Sequence, residues 1–131
     1  MGNFNEEKGQ VDFGETFLLY YTERFSNTTI SKIDDFIEHV EHNGVRGWVG
    51  KVSPSDRVPH SYPERNTIIE HARSNKLWHA HLGDPNFENS YHGSYKVSKW
   101  VIHFQYFNNY HIKLLELGYH DPMVLPNIDL I

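Results

Sequence analysis

The sequence predicts an α+β domain, with two N-terminal helices packed on a small, mainly antiparallel sheet in the order β-α-α-β-β-β. Three observations predict it. Apolar residues recur at spacings of three and four from Ile30 to Val40, the period of an amphipathic helix. Residues Leu77 to Leu82 alternate along the chain as a strand does. Two β-branched and aromatic runs, Lys96 to Tyr106 and Tyr110 to Leu117, flank Asn108-Asn109, a hairpin pattern. A length of 131 residues suits one domain with one core.

The elements follow in order. Residues 1–14 are polar and acidic with few apolar anchors, and read as a poorly ordered tail before a single domain over 15–131. Phe17 to Tyr21 is a short apolar-aromatic run with the composition of a strand. Asn27-Thr28-Thr29 supplies capping chemistry for the first helix. Ile30, Ile33, Ile37 and Val40 form its apolar stripe, with Phe36 broadening it and Gly44 as its stop. Residues 44–61 are rich in Gly, Ser and Pro and read as an ordered loop. Pro63-Glu64 marks the first turn of a second helix, with Ser61 or Tyr62 near the cap. Ile68, Ile69 and Ala72 face its core side, and it fades near Ser74-Asn75. In the strand from Leu77 to Leu82, Trp78, Ala80 and Leu82 share one side while Leu77, His79 and His81 share the other. A polar loop over 83–93, with Asp84-Pro85 as its turn signal, leads to the final hairpin.

Composition bounds the function. No apolar run approaches the roughly 20 residues that span a bilayer, and the N-terminus lacks the basic and apolar blocks of a signal peptide. Cysteine is absent, so disulfides and thiolate metal sites are excluded, and a cytoplasmic location without membrane attachment is expected. The net charge of −5 disfavours a nucleic-acid partner at first sight. Its distribution is uneven: residues 71–120 hold 5 Lys/Arg against 3 Asp/Glu, together with seven of the ten histidines. That stretch can present a local positive face.

His79 and His81 flank one alanine, so on a strand their side chains share a face about 6.5–7 Å apart. Such a pair can hold a metal, or divide base and phosphate-binding roles. The plainer alternative is a solvent-facing strand surface. Two imidazoles fall short of the three or four ligands of a zinc site, and neither a metal nor another cofactor is expected. Tyr119 and His120 end the last predicted strand, where a rigid backbone can project reactive groups; a mere chain exit is the alternative. His92 in the loop, Lys96 and Lys99 at the hairpin's start, and Arg73 near the sheet are candidate phosphate contacts. Lys96 and Lys99 have opposite strand parity, so an unbroken strand puts one of them off the face. His103 and His111, among large apolar residues, read as structural. Histidine, tyrosine and lysine together supply what RNA cleavage by the attacking 2′-OH needs: a base, an acid and positive charge at the phosphate.

The order β-α-α-β-β-β, closing in a strand that ends at Tyr119-His120, resembles the RelE/ParE toxin superfamily. Leu77-Trp78-His79-Ala80-His81-Leu82, Trp100 to Phe104 and Ile112 to Leu117 are most similar to its YafO-type members, which carry a His-x-His-Leu strand, a loop and two hydrophobic strands. The resemblance covers residues 15–121. It implies an mRNA interferase, an endoribonuclease that cuts mRNA on the translating ribosome and is neutralised by a cognate antitoxin. It implies catalytic roles for Tyr119 and His120, and for His79 and His81, with Lys96 holding the scissile phosphate. The chain departs from the superfamily's strongly basic pattern, Arg73 being the arginine near the predicted sheet. Two other classes fit the same residues: a protein- or ligand-binding module without chemistry, and a metal-dependent enzyme built on His79 and His81.

Overall fold

The computed structural model describes residues 8–90, 95–121 and 123–131. Among them a five-stranded sheet runs in the order β1-β7-β6-β3-β2. Its strands are β1 (Gln10–Phe13), β2 (Val52–Pro54), β3 (Leu77–His81), β6 (Trp100–Asn108) and β7 (His111–Tyr119). β1 pairs parallel with β7; the remaining pairs are antiparallel. β4 (Glu88–Asn89) and β5 (Lys96–Val97) form a separate two-stranded ribbon. The helices are α1 (Glu15–Glu23), α2 (Asn27–Asn43) and α3 (Arg65–Ser74). The α+β class and the mainly antiparallel sheet therefore hold. Among the described residues no helix is long and apolar enough to cross a membrane.

Several local expectations need correction. The polar tail gives way from residue 8 onward: the Lys8 and Gly9 amides donate to the Glu41 carbonyl, and Gln10–Phe13 is an edge strand in register with His111–Leu114. Phe17 to Tyr21 is helix rather than strand. Phe13 and Phe17 meet edge-on, and Phe17 also packs against Tyr21 and Phe25. Within α1, Phe17 and Tyr21 stand four residues apart on one helical face. That face meets Phe13 of β1 and Phe25 beyond the helix end, and only Phe17 of that helix is fully buried. The loop over 44–61 contains β2. The second expected helix begins at Arg65, after Glu64 adopts left-handed backbone geometry with φ +56°. The expected strand from Lys96 breaks at Ser98-Lys99, because the Ser98 amide leaves the ladder to donate to a histidine ring.

α2 starts where Ser26 accepts from the Thr29 amide at 3.2 Å and stops at Gly44, whose φ of +79° suits glycine. Its Ile33, Phe36 and Val40 pack on Ala80, Leu82, Ile102, Phe104, Ile112 and Leu114. That is the main core, on one face of the sheet. On the other face α3 and the C-terminal segment close over Leu77 and Leu115, through Ala72, Leu125 and Ile131.

β7 carries the feature that positions the site. Phe104 pairs with Leu114, but its neighbour His103 pairs with Glu116. Leu115 is the extra residue of a β-bulge, and one added residue reverses strand parity. Before it, Ile112 and Leu114 face the main core; beyond it, Leu117 faces that core instead. Glu116, Gly118 and His120 are thereby turned to the α3 face.

Phe104 is wholly buried, with its ring centroid 5.8 Å from that of Phe36. Phe104→Ala should lower the unfolding free energy by about 3–5 kcal/mol, measured by urea denaturation.

Candidate functional site

On the α3 face the ladders bring four imidazoles together. His79 pairs with His103 across β3 and β6. The His120 amide donates to the Lys99 carbonyl at 2.9 Å, which extends the β6–β7 ladder by one step and hangs His120 over β3. Ring centroids of His81 and His120 lie 4.7 Å apart, those of His79 and His120 5.6 Å, and those of His79 with His81 and with His103 6.3 Å. A Cβ added at Gly118 would stand 3.4 Å from His103 Nε2. Glycine at that position leaves room for the buried ring.

The four rings differ in environment. His79, His81 and His103 are buried, whereas the His120 side chain is 35% exposed and lies 3.2 Å from the Asp121 carboxylate. Burial pushes the His79 pKa down to about 3, with His103 and His120 adding to the effect. Burial likewise lowers His81 and His103 to about 4 each, and His120 depresses both further. All three are neutral at ordinary pH. His79 Nδ1 sits 2.9 Å from the Ser55 hydroxyl. His81 Nδ1 lies 2.8 Å from both the amide nitrogen and the carbonyl oxygen of Ser98. Among the described residues, neither ring nitrogen of His103 nor Nε2 of His81 has a hydrogen-bond partner.

Beside the cluster a cavity of about 660 Å³ opens between β2, α3 and the C-terminal segment, within the usual range for small-ligand sites. His79, His120 and Asp121 line it with Lys51 beside them, and Arg57 belongs to the same lining. The remainder is largely apolar, including Val58, Tyr62, Ile68 and Val124. Two polar ties frame it. Arg65 Nε donates to the Val58 carbonyl at 3.0 Å, and His71 Nε2 donates to the Pro126 carbonyl at 2.7 Å.

The expected site residues divide. His79, His81 and His120 come together. Tyr119 has the opposite parity: it is exposed and stacks on Trp100 at 4.0 Å on the other side of the sheet. Arg73 is paired with Asp56 at 2.9 Å outside the cavity. Lys96 lies in the β4–β5 ribbon, its ammonium on the Asn89 side-chain oxygen. Lys99 contributes its carbonyl to hold His120. His92 lies outside the described residues. Sequence reasoning missed Lys51, Arg57, Ser55 and the neighbouring place of His103. The first and third had a signal: Lys51, Ser53 and Ser55 alternate with Val52 and Pro54 as a strand would. His103 needed the β3–β6 register. His111, read as structural, pairs with Asp12 at 2.8 Å between β7 and β1.

Among the described residues no group of three or more His, Asp or Glu side chains is arranged to hold a metal ion. Compared with models of protein families, with curated proteins and with solved structures, the chain matches none.

The buried imidazoles couple folding to pH. Their folded pKa values lie below the ordinary 6.5, so between about pH 6.5 and 4 the unfolded chain binds more protons. Stability is then full above about pH 6.5 and falls as the pH drops toward 4. Urea unfolding from pH 7.5 to 4.5 should show this loss, and His103→Leu should flatten it.

Proposed function

We propose that this protein is a metal-independent endoribonuclease, the toxin of a type II toxin–antitoxin pair, which cleaves mRNA on the translating ribosome in the cytoplasm. The observation that carries the reading is the convergence of His120, His79 and His81 with Lys51 beside them, next to a cavity that His79, His120, Lys51 and Arg57 line. The resemblance of the His-x-His strand and the closing hairpin to YafO-type toxins gives it direction. An antitoxin is the protein partner that the reading requires.

The base is one the sequence suggested, while the positive charge comes from Lys51 and Arg57 in place of Lys96. His120 is the half-exposed imidazole, and its side chain reaches Asp121. It serves as the base that takes the proton of the attacking 2′-OH. The 2′-oxygen bonds to phosphorus and the P–O5′ bond breaks. Solvent at the open end protonates the leaving 5′-oxygen, giving a 2′,3′-cyclic phosphate and a 5′-hydroxyl end. Lys51 and Arg57 supply positive charge to the phosphate in the transition state. His79 and His81, held neutral by burial, pack against His120 and position it rather than carry charge. Tyr119 takes no part in proton transfer, and Lys96, on Asn89 in the β4–β5 ribbon, does not hold the phosphate.

His120→Ala should abolish growth arrest on induced expression and slow RNA fragmentation by about 10²-fold or more. Tyr119→Phe should leave both unchanged. Full toxicity in a folded His120→Ala protein, with folding checked by circular dichroism, would sink the assignment.

A further inference from the structure

The cavity extends well beyond the histidines, and a phosphate alone would leave most of it empty. Its walls are of two kinds. Lys51 and His120 stand with His79, and Arg57 lines the cavity as well; Val58, Tyr62 and Val124 belong to the apolar remainder. Tyr62 is half-buried on the loop before α3, where its amide donates to the Pro59 carbonyl at 3.1 Å, which fixes the loop under the ring. The opposite wall is fixed as well, because His71 donates to the Pro126 carbonyl and Leu125 packs into the second core. An apolar lining with an aromatic ring, shared with cationic groups, complements a flat heterocycle bearing a phosphate. Single-stranded RNA is recognised in this way, by splaying out a base onto an aromatic side chain.

We propose that this cavity is a base-binding subsite: it takes one unpaired nucleobase, stacked on Tyr62, of the nucleotide whose 3′-phosphate lies at Lys51, Arg57 and His120. The inference rests on the ribonuclease reading and adds to it a substrate class, single-stranded RNA with one extruded base. The base that enters belongs to the nucleotide carrying the attacking 2′-OH. Cleavage preference is therefore set on the 5′ side of the broken bond, by the protein's own walls.

Binding can be measured apart from cleavage. The full chain is titrated with each of the four ribonucleoside 3′-monophosphates and with inorganic phosphate, following amide and ring shifts by NMR. RNA cleavage is assayed in parallel. At least one nucleotide should bind about tenfold or more tightly than phosphate, with shifts at Tyr62, Ile68 and Val124 as well as at His120. Tyr62→Ala should remove that advantage while leaving phosphate binding unchanged, and Tyr62→Phe should restore it. Nucleotide and phosphate binding alike, with shifts confined to the histidines, would overturn the subsite even if RNA is cleaved. Base-dependent binding at Tyr62 without RNA cleavage would instead retain the pocket and remove the ribonuclease reading.

Discussion

The extra residue Leu115 in β7 is the constraint on which the site depends. In an uninterrupted strand, Ile112, Leu114, Glu116, Gly118 and His120 would all face α2, and the last three would put polar groups against the main core. The bulge opposite His103 and Phe104 reverses that parity halfway along. One strand thereby serves two layers. Its first half fills the core beneath α2, and its second half lays Gly118 and His120 against the imidazoles of β3 and β6. The same reversal sends Tyr119 to the far face, where it stacks on Trp100.

What the bulge assembles is electrostatically asymmetric. Three imidazoles are buried deeply enough to stay neutral, and the fourth reaches solvent beside a carboxylate. Burying a titratable ring costs stability in acid, and an imidazole without a protein partner, as at His103, adds to the cost. Folds retain such costs where a site needs them. Here the neutral rings pack beneath His120, and the cationic side chains of the adjoining cavity are Lys51 and Arg57.

Much of the fold was legible because its signals are local. The period of Ile33, Phe36 and Val40 fixes α2, and the alternation of Leu77 to Leu82 fixes β3 with the correct face for each residue. The Phe17 to Tyr21 run was ambiguous at five residues. The helix it forms buries only Phe17, against Phe13 of β1 and Phe25 beyond its end, and those contacts are tertiary facts. β2 is three residues long in a Pro-, Ser- and Gly-rich stretch, and its pairing with β3 is a long-range fact. The site was half legible for the same reason. His-x-His places two rings on one face wherever the strand lies. The membership of His120, and the exclusion of Tyr119, turn on a bulge that no local pattern announces.

The most direct test is therefore geometric. Nuclear Overhauser contacts from the ring protons of His120 and Tyr119, in selectively labelled protein, report which face each side chain occupies. The structure requires contacts from His120 to the His81 and His79 rings, and from Tyr119 to the Trp100 indole. Contacts from Tyr119 to His79 or His81, with His120 against Trp100, would mean an unbulged β7. That result would contradict the account.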